Sequence, residues 1–295
     1  MHVSTRTLGR AAVGLALGGL VVTGMPAAIA APHTAPGTSI TVAITRHNVY
    51  VDGPTTFPAG RLNVVLDSGR KNGATYAVVS FKTGYTFHDF RHDLGIAFAN
   101  LFAPNGNTKK GLRYLNKAIN HSQAYGGYHA DGLGESKSTL LLTTPGQYVL
   151  FDDTGNLPKR PVTLTVTAPV GPQALPSVPT VIAKTTRRFG GANVLPHNGV
   201  IRFENHSTES PHFLVLQHVK EGTTRKQVRQ GLQSNSPPSW LLPESTESDV
   251  VSHGHQMLIH VHLPKGEYAE MCFFPDPQTG MPHALMGMIR MVHLK

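Results

Sequence analysis

Cys272, His283 and Met288 stand in one Pro/Gly-rich stretch with the spacing Cys-x10-His-x4-Met. A thiolate, an imidazole and a thioether on a single loop form a soft donor set. Such a set suits copper, with thiolate and imidazole in a trigonal plane and the thioether at a long axial distance. One equatorial position is then left for a second imidazole. Cys272 is the only cysteine among 295 residues, so neither a disulfide framework nor a cysteine-only zinc or iron–sulfur site can form within one chain.

The elements that must position this loop follow from an internal repeat. Arg61–Gly84, RLNVVLDSGRKNGATYAVVSFKTG, aligns with Gly199–Gly222, GVIRFENHSTESPHFLVLQHVKEG, at a constant offset of 138. Beyond the closing glycine, Phe90 and Leu94 fall opposite Val228 and Leu232, which suits a short helix in both copies. Pro145-Gly146-Gln147-Tyr148 later matches Lys265-Gly266-Glu267-Tyr268. Short β-branched or aromatic runs such as Ser39–Ile44, Leu62–Leu66, Ala77–Phe81, Leu140–Thr143, Tyr148–Phe151 and Val162–Val166 alternate with Gly, Pro and Asn turns. That spacing predicts an all-β chain of two tandem Greek-key β-sandwich domains. Phe87, Phe90, Leu94, Phe98 and Leu101, then Leu112, Leu115 and Ile119, recur at helical spacing, giving the first copy a helical insertion. Pro169, Pro172, Pro176 and Pro179 break regular structure between the copies. The expected division is residues 39–168, a linker at 169–179, and residues 180–295.

The repeat also locates the missing imidazole. A sandwich brings the start of an early inner strand beside the loop joining its last two strands, and His212 occupies that start in the segment Pro211-His212-Phe213-Leu214-Val215.

At this point the chain resembles a known family. Phe203-Glu204-Asn205, a polar turn and Pro211-His212 are similar to the first-histidine region of the blue copper proteins, or cupredoxins, and Gly266-Glu267-Tyr268 leading to Cys272 is similar to the plastocyanin strand that ends in the copper cysteine. Cys272, Pro275, Gly280-Met281-Pro282-His283 and Gly287-Met288 resemble the type 1 copper loop of copper nitrite reductases. The resemblance implies one type 1 copper, with His212, Cys272 and His283 equatorial and Met288 axial, in a protein that carries single electrons. It covers the second copy at motif level and the first as a fold. Two departures stand out. Phe213 follows His212 where many cupredoxins have an asparagine that braces the ligand loops, and Glu270 falls in the inward phase of the strand before Cys272, where a buried carboxylate needs a partner.

The first copy lacks the ligands, because Ala74 stands opposite His212 and Asp152 opposite Cys272. Its segment Tyr125–Gly134 reads as a solvated loop without the Gly-Lys-Ser/Thr of a phosphate cradle. Two His-x-His pairs, His253/His255 and His260/His262, invite comparison with multicopper oxidases, yet those enzymes place a histidine beside the copper cysteine and here the neighbours are Met271 and Phe273. A copper-dependent oxidase or reductase would therefore need a second copper at a subunit interface. The other alternative is a metal-free pair of sandwiches serving as a binding or structural module of the cell envelope, with Cys272 a buried small hydrophobe. His88 and His92 lack the His-Glu-x-x-His pattern and read as a polar helix face.

Arg6 and Arg10, the apolar run Ala11–Val22 and Ala28-Ile29-Ala30 together read as a signal peptide over residues 1–30, cleaved after Ala30, so the expected location is extracytoplasmic. Removing those two arginines leaves 24 basic against 17 acidic residues, a moderate excess. Lys220, Arg225, Lys226 and Arg229 cluster without interleaved aromatics, a solvated face and not a nucleic-acid site. No apolar run is long enough to span a bilayer. The sequence leaves the redox partner protein and the oligomeric state open.

Overall fold

The computed structural model describes residues 37–155, 157–171, 175–185, 187–234 and 237–295. The signal peptide expected over residues 1–30 lies outside them. The first copy runs β1 (Thr38–Ile44), β2 (Val49–Asp52), β3 (Thr56–Pro58), β4 (Gly60–Ser68), β5 (Ala74–Phe81), α1 (Phe87–Leu101), α2 (Thr108–His121), β6 (Ser122–Ala130), β7 (Gly134–Leu142), β8 (Gly146–Asp152) and β9 (Lys159–Thr167). The second repeats the plan as β10 (Thr180–Lys184), β11 (Arg188–Gly191), β12 (Val194–Leu195), β13 (Asn198–Asn205), β14 (Val215–Val219), α3 (Arg225–Gly231), β15 (Leu241–Glu247), β16 (Gln256–His262), β17 (Gly266–Met271) and β18 (Ile289–Leu294). The insertion α1–α2 occupies the place of the single helix α3.

Strand order expresses the repeat. Each copy closes with a five-stranded sheet in the same order, β3-β9-β8-β5-β6 and β12-β18-β17-β14-β15. The opposing halves join into one eight-stranded sheet, β11-β10-β13-β16-β7-β4-β1-β2, through antiparallel pairing of Met257–Ile259 with Ser138–Leu140. Apolar alternation drives each half. Leu62, Val64 and Leu66 of β4 are buried, as are Ile201 and Phe203 of β13, and the faces of all three sheets share one core.

Two expectations are corrected. Inward Leu62 matches inward Ile201, an offset of 139, whereas the 138 offset holds for Ala74 and His212; a one-residue slip in a strand would turn every side chain to the other face, so the difference is absorbed in the turn. The segment Tyr125–Gly134 is not a solvated loop. Its first half lies in β6, with Tyr125 and Tyr128 buried. Its glycines serve close approach: a Cβ on Gly127 would lie 1.8 Å from the Tyr76 carbonyl oxygen. The Tyr128 hydroxyl donates to His260 O at 3.0 Å, tying the first copy to the second.

Tyr148 and Tyr268 occupy equivalent buried corners, their hydroxyls donating to Thr144 O at 2.7 Å and Pro264 O at 2.9 Å. Tyr268→Phe should lower stability by about 1 kcal/mol through the lost hydrogen bond, read as a reduced denaturant midpoint at unchanged slope.

In the insertion, Thr86 and Asp89 form a capping box at the start of α1, and Asn107 caps α2. Buried Asp93 pins the two helices, accepting from the Tyr85 hydroxyl at 2.7 Å and pairing with Lys117 at 3.0 Å. His88 and His92 lie on the exposed face of α1, as expected. Lys220, Arg225, Lys226 and Arg229 are likewise exposed. No helix among the described residues is long and apolar enough to cross a membrane.

Candidate metal centre

Three elements deliver the donors. Cys272 follows directly on β17, His212 precedes β14, and His283 lies in the long loop between β17 and β18. His212 is fixed by a reciprocal backbone pair with Val251, at 3.1 and 2.7 Å. Asn205, at the end of β13, braces this corner: its side-chain amide donates to Ser210 O at 3.0 Å and Val251 O at 2.8 Å. Asn205 thus fixes the His212 side of the site from seven residues earlier in the chain. Asn205→Ala should weaken metal retention by about tenfold, measured by competition with a chelator, because His212 loses its fixed backbone.

The Nδ1 atoms of His212 and His283 lie 3.5 and 3.6 Å from Cys272 Sγ. All three side chains are fully buried, and their donor atoms lie within 4.8 Å of one another. Bonds of about 2.0 Å to nitrogen and 2.3 Å to sulfur, meeting at an angle between tetrahedral and trigonal, span about 3.5–3.7 Å between donors. The two sulfur–nitrogen spans therefore match those of a bound thiophilic ion, and a soft sulfur beside two imidazoles suits copper.

Electrostatics prepare the donors as neutral groups. Burial, with the neighbouring charges of His283 and Arg187, lowers the pKa of His212 to about 3. Burial lowers His283 to about 4, Asp276 opposing and Arg187 assisting. Burial also pushes the Cys272 thiol up to about 12, against backbone N–H groups of Phe213 and Phe274 aimed at the sulfur. Without a cation the thiol keeps its proton; an ion at the cluster would reverse that balance. Among the described residues His212 Nε2 has no hydrogen-bond partner, and His283 Nε2 faces Asp276 Oδ2 at 3.7 Å, beyond hydrogen-bond distance.

The loop between Cys272 and Met288 is held by its own backbone. Ala284 N donates to Cys272 O at 2.7 Å, His283 N to Phe274 O at 3.1 Å and Met288 N to His283 O at 2.9 Å. Met288 is fully buried in the same core as Cys272. Asp276 organises the loop tip. Its carboxylate accepts from Gln278 N, Thr279 N and Thr279 Oγ1 at 2.8–3.0 Å and from Arg187 Nε at 2.7 Å, and it lies 3.7 Å from His283 Nε2. Burial opposes its ionisation, but these hydrogen bonds and the Arg187 charge outweigh burial and hold its pKa below the ordinary value.

Neither Asp276 nor Arg187 was singled out from sequence. The run Asp276-Pro-Gln-Thr279-Gly carries the signal of an Asx-type turn, whereas Arg187 is distant in the chain and only the fold brings it there. Nor did the sequence place α1–α2. The insertion packs on the Cys272–Met288 loop: Asn116 Nδ2 donates to Pro277 O at 2.8 Å, and a Cβ on Gly280, whose φ is +76°, would come within 2.7 Å of Leu101 Cδ2. On the other side Arg225 of α3 donates to Gly287 O at 2.5 Å. Gly280→Ala should displace the loop from the insertion, lowering stability by about 1–3 kcal/mol in thermal unfolding.

The remaining candidates separate from this cluster. His253, His255, His260 and His262 do not join the group of metal-type donors found among the described residues. His260 and His262 alternate outward from β16 while Ile259 and Val261 are buried. In the first copy, Ala74 is buried and Asp152 has become an ion-pair hub, with Arg70 at 2.7 Å and Arg160 at 2.6 Å. Glu270 finds its partner in Arg290, which grips the carboxylate through Nε at 2.6 Å and Nη2 at 2.8 Å.

Fold and site together define a chain of two β-sandwiches, the second carrying a buried His212-Cys272-His283 group that could bind a copper ion. No family model and no curated protein matches the chain. Among solved structures it is similar to auracyanin A, a blue copper protein of Chloroflexus aurantiacus, at 17% identity over 45% of this chain and 100% of that one, with a TM-score of 0.30. Auracyanin from Roseiflexus castenholzii is 17% identical over 39% and 94% of the two chains, TM-score 0.26. The copper nitrite reductase of Nitrosomonas europaea is 10% identical over 88% and 94%, TM-score 0.24. With superpositions this loose, the fold and the cluster stand on their own geometry.

Proposed function

We propose that this chain is an extracytoplasmic electron carrier whose second sandwich, residues 180–295, would hold one type 1 copper through His212, Cys272, His283 and Met288. The reading rests on one observation: two buried imidazole Nδ1 atoms converge on a buried cysteine sulfur at 3.5 and 3.6 Å. When bound, copper supplies a one-electron couple. The chain's own contribution is rigidity. The Val251 backbone pair, the Asn205 brace and the Asp276 turn hold the donors in place, so little reorganisation accompanies a change in charge. The Phe213 and Phe274 N–H groups at the sulfur and the surrounding apolar core tune the potential. Residues 39–168, without ligands, support the site through the insertion that packs on its loop, and residues 1–30 direct export.

The partner would be a redox protein, and catalysis would be absent. Copper-loaded protein should undergo reversible one-electron reduction at an electrode, with one electron per chain and no catalytic current on adding nitrite or dioxygen. A catalytic wave that disappears in His260→Ala or His262→Ala would instead support a second copper at a subunit interface.

A further inference from the structure

A cavity of about 290 Å³ lies between the helical insertion and the metal loop. Phe90 and Phe98 of α1 line one side, and Phe213, Phe273 and Phe274, the residues flanking the copper-site donors, line the other. An apolar cavity of about 150 Å³ accepts benzene, so this one has room for a ring with a short chain. Its wall is not uniformly apolar. Asp153 and Asp249 line it together, and no lysine or arginine side chain is among its described lining residues.

We infer that this cavity is a binding site for a small aromatic amine, its ring among the phenylalanines and its ammonium on the Asp153–Asp249 pair. The two carboxyls come from different copies, Asp153 just after β8 and Asp249 after β15, so the site exists only where the repeats meet. Asp249 Oδ1 accepts from Val250 N at 2.5 Å, and this is insufficient to offset burial. Burial first, then the charge of Glu247, raise Asp249 to about 7; burial and the charge of Asp249 raise Asp153 well above the ordinary range. Lys159 acts on Asp153 and His129 on Asp249, but both lie outside the cavity wall. A carboxyl pair sharing one proton, Asp249 buried and Asp153 half-buried, carries a single negative charge, and aromatic faces add to its attraction for a cation.

The inference does not depend on copper. Calorimetric titration of the full chain, copper-loaded and metal-free, with phenethylamine should give one saturable site per chain in both forms. Asp249→Asn should weaken the amine by about tenfold or more, as expected for a hydrogen bond to a charged group, while phenethyl alcohol, the neutral analogue, changes little. Ile119→Trp, which fills the cavity from α2, should abolish binding of both. Asp153→Asn carries the same comparison if Asp249→Asn does not fold. Absence of saturable binding to the wild-type chain would overturn the inference, as would alcohol binding as tightly as amine with no discrimination lost in either asparagine variant.

Discussion

Serine at position 272 leaves the copper-treated protein without its intense visible absorption and lowers copper affinity by about a hundredfold or more, since loss of a direct sulfur ligand exceeds the ten- to hundredfold typical of outer-shell changes. The fold itself changes little. Cys272 sits at the end of β17 with backbone N–H groups of Phe213 and Phe274 already aimed at its sulfur, and a serine hydroxyl can take up those donors. The metal-free variant should therefore stay within about 2 kcal/mol of the wild type in urea unfolding. The contrast between a large metal effect and a small stability effect is the signature of a ligand. A buried structural cysteine would show the reverse, with stability falling and nothing to lose in the visible spectrum.

Arg290→Ala should produce the largest loss of stability, about 3–5 kcal/mol at pH 8, because it leaves a buried carboxylate without its cation. Glu270 is fully buried beside Cys272's strand end, and Arg290 alone grips both of its oxygens. The pH dependence is specific. Burial, opposed by the Arg290 hydrogen bonds and charge, raises Glu270 from 4.5 to about 7. An acid whose folded pKa is raised stabilises the fold fully below its unfolded pKa, and that contribution declines as pH rises from about 4.5 to about 7. Without Arg290 the folded pKa rises further, so the variant should lose more stability than the wild type between pH 5 and pH 8. Urea midpoints at the two pH values measure it; equal penalties at both would show that Glu270 is not the group left exposed to the loss.

Much of the site was legible because its chemistry is local. Cys272 and His283 share one loop, and the repeat put His212 at the start of the strand that faces it. Strands came from short β-branched or aromatic runs between Gly, Pro and Asn turns, as in Leu62–Leu66, and the insertion from the spacing of Phe90, Leu94 and Phe98. What sequence reasoning missed is non-local. Arg187 reaches Asp276 across 89 residues, and Asn116 reaches Pro277 across 161, contacts that no periodicity encodes. Tyr125–Gly134 was misread because glycines that permit close backbone approach and glycines that make loops look alike in a single chain. The slip from 139 to 138 was hidden because Leu62 and its neighbours Asn63 to Leu66 contain apolar residues in both phases, so an alignment of types tolerates either register.

Those long contacts also give the ligand-free copy a role. The first sandwich contributes no donor, yet its two helices press on the loop that carries His283, and one wall of the cavity beside the cluster is theirs.

The most direct measurement is the visible spectrum of the chain from Ala31, loaded with Cu(II), freed of excess metal and assayed for copper. The account predicts one copper per chain and an intense charge-transfer band toward the red, the mark of thiolate ligation. A folded protein that retains no copper, or retains it without that band, would contradict it.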